Sequence, residues 1–201
     1  DGGSGADTLI GGDGDDIYYV DNVGDVVEEL NEGGEDRIFA SLVSYTLSDN
    51  VEHLTLLGTY NINAAGNELD NELTGNTGRN RLEGGAGNDT LDGGAGIDTL
   101  TGGEGDDYFV FSTAPSTSNA DIITDFAAGD TLALSTAIFG PLTEDNFAFG
   151  AAAAEADDRL IYNQATGALL YDADGNGEGA AVRVATLSNL YGLTWSDLDL
   201  V

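Results

Sequence analysis

From Gly66 to Val110 the chain reads GNELDNELT, GNTGRNRLE, GGAGNDTLD, GGAGIDTLT and GGEGDDYFV, five consecutive nine-residue units beginning at Gly66, Gly75, Gly84, Gly93 and Gly102. Each opens on glycine, carries Asn or Asp at its sixth place (Asn71, Asn80, Asp89, Asp98, Asp107) and a large apolar residue at its eighth (Leu73, Leu82, Leu91, Leu100, Phe109). Two further copies, GGSGADTLI from Gly2 and GGDGDDIYY from Gly11, open the chain, with Asp7 and Asp16 at the sixth place and Leu9 and Tyr18 at the eighth.

Glycines at the first, second and fourth places permit left-handed backbone, so a six-residue turn curls until its carbonyls converge. The sixth-place carboxylate adds charge to that half-cage, and oxygen-only ligation favours Ca²⁺ over zinc or copper. The last three residues form a short strand with its central apolar side chain inward. One such strand buries almost nothing, so the units must stack. The candidate ligand positions are therefore Gly3, Gly5, Asp7, Gly12, Gly14 and Asp16 in the first two turns. In the later array they are Asn80, Gly84, Gly85, Ala86, Gly87, Asn88, Asp89, Gly93, Gly94, Ala95, Gly96, Asp98, Gly102, Gly103, Gly105 and Asp107.

The pattern G-G-x-G-x-D-x-U-x resembles the RTX (hemolysin-type) calcium-binding repeat of bacterial proteins secreted by the type I route, such as serralysin-type proteases, lipases and large adhesins. The resemblance implies an all-β, right-handed parallel β-roll, a β-solenoid with two nonapeptides per coil, several Ca²⁺ ions between turns on one side, and a C-terminal antiparallel β cap. Turn n then pairs with turn n+2. The turn from Gly84 to Asp89 would share an ion with that from Gly102 to Asp107, and the turn from Gly75 to Asn80 with that from Gly93 to Asp98. Asn71 and Asn80 depart from the consensus, since an amide oxygen coordinates without adding charge.

Composition narrows the partners. Acidic residues number 37 and basic ones 5, all arginine, for a formal net charge of −32. A compact fold with that charge repels itself unless cations bind. Nucleic acid and anionic membranes, which need basic patches, are excluded as partners. With 41% hydrophobic residues the chain can bury a core, but it has no cysteine for disulfides or thiolate sites. No run approaches the 18 or so apolar residues of a membrane span, so no membrane insertion is expected. Without methionine, and opening inside a repeat, the chain reads as a C-terminal fragment of a longer protein.

Outside the array, Asp25 falls at a sixth place and Val27 at an eighth without accompanying glycines, which carries the first repeat region over residues 1–30. A two-residue slip follows; Asp36 then precedes Ile38 by the repeat's offset, and Ile38, Leu47 and Leu56 lie nine apart. Residues 31–65 thus read as degenerate coils without metal turns, with an inserted hairpin domain as the alternative; residues 66–111 are the repeat array. His53, the only histidine, has no second His or Cys to act with. Residues 112–140 contain ADIITDFAAGDTLALS, similar to the stretch that closes the roll in RTX-bearing proteases. The likeness implies a capping strand, and Asp121 and Asp125 either complete the last calcium site or simply flank the strand. Residues 141–201 read as antiparallel strands around NQATG and DADGNGEG. There Asp172, Asp174 and Asn176 mimic the start of an EF-hand loop, but Arg183 stands where a bidentate Glu is needed, so a plain turn is the other reading. Thr194 is positioned to cap a helical turn that buries Trp195, and the tail DLDLV resembles the acidic-apolar end of type I secretion substrates.

Together these features predict a calcium-binding module that folds on Ca²⁺ after type I secretion and serves an upstream catalytic or adhesive domain of the same polypeptide. The alternative is a calcium-dependent module that binds polysaccharide. Either would be secreted and extracellular or attached to the cell surface. The chain carries no H-E-x-x-H, G-x-S-x-G or Cys/His pair, so it is not expected to be an enzyme in its own right.

Overall fold

A computed structural model describes residues 1–31 and 33–201. Strands, numbered in chain order, alternate between two sheets. One sheet contains β2 (Ile17–Val20), β4 (Arg37–Ala40), β6 (His53–Leu56), β8 (Glu72–Thr74), β10 (Thr90–Asp92), β12 (Tyr108–Phe111), β14 (Thr131–Leu134) and β19 (Leu198–Leu200), each parallel to its neighbours. The facing sheet contains β5 (Ser44–Thr46), β7 (Asn63–Ala65), β9 (Arg81–Ala86), β11 (Thr99–Glu104), β13 (Asp121–Ile123) and β18 (Val182–Leu187), also parallel. β1 (Thr8–Ile10) and β3 (Val26–Glu28) form a separate parallel pair. This is a parallel β-roll: each coil gives one strand to each sheet.

The core is what the eighth-place residues build. Strand register stacks Tyr18, Ile38, Leu54, Leu73, Leu91, Phe109, Leu132 and Leu198 in one column. Tyr45, Ala64, Leu82, Leu100, Ile123 and Leu187 stack in the other. Most of these side chains are fully buried. Neither column is a complete core, and each coil depends on the next for its apolar contacts.

Residues 31–65 depart from the expected nine-residue spacing. Leu54, not Leu56, lies beneath Ile38, because the polar turns there set coil lengths of their own. Leu47 and Leu56 are still buried, two residues further along their strands on the same inward face. β4 to β7 are parallel members of the two sheets, where an inserted hairpin would have paired antiparallel.

The closing region also differs from its expected form. ADIITDFAAGDTLALS is not a single capping strand but a further full coil, with Ile123 under Leu100, Leu132 under Phe109, and Phe126 buried against Phe109. The C-terminal region forms the expected antiparallel strands and also prolongs both sheets. β18 and β19 continue them in parallel, and antiparallel pairing is limited to β16 (Leu160–Asn163), β17 (Ala168–Tyr171) and β18, with β15 (Phe147–Phe149) parallel at the edge. DLDLV is the edge strand β19 with Val201, and Thr194 caps a short 3-10 turn in which Asp197 Oδ2 accepts the Thr194 N–H at 2.7 Å. Trp195 is only half-buried, its ring 6.4 Å from that of Phe147. Among the described residues no helix is long and apolar enough to cross a membrane.

Candidate metal centres between stacked turns

The turns stack as regularly as the strands. The sixth-place carboxylate of one turn accepts the backbone N–H of the sixth-place residue one coil earlier. Asp89 Oδ1 takes that of Asn71 at 2.8 Å, Asp107 that of Asp89 at 2.9 Å, and Asp98 that of Asn80 at 2.7 Å. Asp25 accepts from Asp7 at 3.1 Å in the same way, as Asp36 does from Asp16 at 2.8 Å. A built Cβ on Gly103 or Gly105 would collide with the carbonyl of Gly85 or Gly87, and one on Gly94 would lie 2.8 Å from that of Asn76. The turn at Gly84 thus faces the turn at Gly102, and the turn at Gly75 faces the turn at Gly93.

Asp89, Asp98 and Asp107 each spend one carboxylate oxygen on this ladder, whereas Asp7 and Asp16 enter it only through their backbone N–H groups. The second oxygen of Asp7, Asp89 and Asp98 is buried and accepts no hydrogen bond from the protein. It lies against the first-place glycine: a Cβ on Gly93 would sit 2.7 Å from Asp98 Oδ2, and one on Gly84 would strike Asp89 Oδ2 while lying 2.5 Å from the Gly102 carbonyl. The glycine therefore leaves room for a carboxylate oxygen and a carbonyl of the next coil to share one small space. Burial pushes Asp89 and Asp121 up to about 7 and Asp98 and Asp107 to about 6, with neighbouring carboxylates adding to the shift. Such groups ionise readily only beside a cation. Convergent hard oxygens, charge in need of neutralising and an absence of nitrogen or sulfur donors fit Ca²⁺. Asp89, Asp98 and Asp107, with the turn carbonyls facing them, are the residues that would hold it.

The remaining expected ligands fall into distinct places. Gly3, Gly5, Gly12 and Gly14 have positive φ and lie in the first coil, where a Cβ on any of them would meet nothing within 4 Å. Gly85, Gly87, Gly94, Gly96, Gly103 and Gly105 are the positive-φ residues of the later turns, and Ala86 and Ala95 occupy their third places. Asn88 faces outward: its Oδ1 accepts the Asp106 N–H and its own N–H goes to Asp70. Asn71 and Asn80 place Oδ1 beside the Gly84 and Gly93 carbonyls, where it accepts the Asn67 and Asn76 N–H groups at 2.8 Å, while Nδ2 donates to the Val51 and Ile62 carbonyls of the irregular turns before them. Amides suit a coil that faces an oxygen cage on one side and bare carbonyls on the other.

Asp121 takes the sixth place of the final coil, accepting from Asp98 at 2.9 Å. Asp125 does not sit in the ladder. Its two oxygens accept the Gly102 and Gly103 N–H groups at 3.1 and 3.0 Å, which makes it an amide cap in place of the expected ligand. Asp130, not anticipated as a ligand, holds the sixth place instead, accepting from Asp107 at 3.0 Å; the triad Asp130-Thr131-Leu132 carries the repeat's offset from acid to inward residue. Asp172 and Asp174 bond within their own loop, and Asn176 bridges to a neighbouring one. Asp174 accepts the Gly179 N–H, Asp172 accepts that of Asp174, and Asn176 Nδ2 donates to the Ala154 carbonyl. These bonds are those of a plain turn.

The family described as the RTX calcium-binding nonapeptide repeat (4 copies) matches residues 1–27, 65–100 and 84–112. These turns are RTX repeats. The matched segments do not reach residues 28–64 or 113–201. Over 72 residues the chain is 42% identical to an endo-1,3-1,4-beta-glycanase, ExsH, of Rhizobium meliloti (strain 1021); that stretch is 35% of this chain and 15% of the glycanase. Similar solved structures include two subunits of the Azotobacter vinelandii mannuronan C5-epimerase. The R3 subunit of AlgE6 has a TM-score of 0.46 at 24% identity, covering 71% of this chain and 80% of its own. The R2 subunit has 0.41 at 21%, covering 98% and 95%.

Proposed function

We propose that this chain is a calcium-triggered folding module of a protein exported by type I machinery. In the calcium-poor cytoplasm it remains open and passes through a narrow channel. Outside the cell, Ca²⁺ closes the turns, and the roll stabilises a catalytic or adhesive region of the same polypeptide. The observation that carries this reading is that the buried sixth-place carboxylates Asp89 and Asp98 each have one oxygen in the backbone ladder and a second that the protein leaves unbonded, with a buried, unbonded oxygen on Asp7 as well. A net charge of −32 adds a further penalty to closing the fold without cations. The likeness to a stretch of a glycanase supports a polysaccharide-acting region as one such companion.

The test is export from a bacterial host with and without a type I exporter. The chain is expected in the medium only with the exporter, and removal of 198–201 should sharply reduce export while leaving the calcium-bound fold recognisable by circular dichroism. Equal release without the exporter would overturn the reading.

A further inference from the structure

Asp16, Glu29 and Asp36 place one carboxylate oxygen each within 4.8 Å of the other two, the one such group of three among the described residues. Asp16 ends a repeat turn, but Glu29 and Asp36 lie beyond the matched segments, in and beside the stretch expected to lack metal turns. Asp36 is 0% exposed. Its Oδ1 accepts the Asp16 N–H, and its Oδ2 accepts no hydrogen bond. Glu29 Oε2 accepts the Leu30 N–H at 3.2 Å, whereas its buried Oε1 has no partner. The Tyr18 hydroxyl, also buried without a partner, lies beside Asp16 Oδ2 at the point a Cβ on Gly11 would fill.

No basic side chain offsets this charge. Arg37 is adjacent in sequence, but its guanidinium is bonded to Glu72 and Thr55 on the outer face of the sheet. Asp36 Oδ2 and Glu29 Oε1, buried without a protein donor and grouped with the Asp16 carboxylate, are stable together only around a cation.

We propose that Asp16, Glu29 and Asp36 form a divalent-cation site, with the Tyr18 hydroxyl at its margin. It differs in make-up from the repeat turns, which join a carboxylate to glycine-turn carbonyls; here three side chains from three separate places supply the ligands. Higher ligand charge raises affinity for hard cations, so this site fills at lower calcium than the repeats and prefers a trivalent lanthanide. It also ties the irregular coil, in which Asp36 follows Asp16 by 20 residues, to the N-terminal repeats.

Terbium luminescence excited through tyrosine reads the site directly. The first terbium equivalent is expected to give sensitised emission displaced only by excess calcium. Tyr18→Phe should abolish that emission while leaving metal stoichiometry by calorimetry unchanged. Glu29→Gln should weaken the first binding phase by roughly tenfold or more and leave the later phases in place. Emission and first-phase affinity that are the same in both variants as in the parent chain would overturn the proposal. Circular dichroism in saturating calcium confirms that each variant is folded, and Tyr18→Phe removes only a hydroxyl. The repeat turns serve as an internal control: a Tyr18-dependent phase without later phases would uphold this site while refuting calcium-triggered closure of the repeats.

Discussion

Chelation of calcium at about pH 7.5 is expected to abolish most of the β-sheet circular dichroism of the whole chain, and returning millimolar calcium to restore it. The magnitude follows from linkage. Extracellular calcium modules commonly bind with Kd on the order of 10⁻⁴ to 10⁻³ M. Free calcium at about ten times Kd then stabilises a fold by ~1.4 kcal/mol per site. Several sites together are comparable with the roughly 5–15 kcal/mol that holds an ordinary domain. Acidification gives the same experiment a second arm. Without metal, Asp89 and Asp121 at about 7 and Asp98 and Asp107 at about 6 lie above the ordinary carboxylate value of 3.8. Raised acids favour the fold when protonated, a contribution present in full below the unfolded value and lost as pH rises through the folded values. The chelated chain should therefore regain β signal between about pH 7 and pH 4, whereas calcium affinity falls over the same interval because protons compete for the same oxygens. An unchanged spectrum in chelator at about pH 7.5 would contradict the coupling of metal and fold.

The second large effect is expected from Gly103→Ala. Gly103 has φ of +113°, which an L side chain rarely adopts, and its Cβ would drive into the Gly85 carbonyl of the coil beneath. Left-handed strain alone costs about 1–2 kcal/mol. The clash falls on backbone, which cannot rotate away, so two coils must separate and the cage between them opens. The calcium concentration at the folding midpoint should rise by roughly tenfold or more. Gly14→Ala isolates the strain: φ there is +101°, yet its Cβ meets nothing within 4 Å. Its midpoint should move less. Equal shifts in the two variants would show that the close stacking of turns, and not conformational strain, is unimportant to binding.

The array was legible because its period is its architecture. Nine residues make half a coil, so Leu73, Leu91 and Phe109 had to fall in one column and Leu82 and Leu100 in the other. Where the turns change length, that logic weakens. Successive sixth-place partners are 20 residues apart at Asp16 and Asp36 but 16 at Asp36 and Glu52. Inward residues recur every second position along a strand, so Leu54 and Leu56 compete for one column on apolar pattern alone. Asp125 caps amides while Asp130 enters the ladder for a related reason. Both are acids near a strand, and only the coil decides which meets free amides and which enters the ladder. Asn71 and Asn80 looked like weakened ligands, yet their amides donate to the carbonyls of Val51 and Ile62, which an aspartate could not do. In the Asp16, Glu29 and Asp36 group only the two aspartates follow the repeat's offset, and nothing in the spacing points to Glu29.

The central claim is that an ion lies between the turn ending at Asp89 and the turn beginning at Gly102. A crystal structure from millimolar calcium, with anomalous scattering to identify the element, measures this most directly. The account predicts a calcium peak about 2.3–2.6 Å from Asp89 Oδ2 and the facing turn carbonyls, repeated at Asp98. Well-ordered turns holding only water at both positions would contradict it.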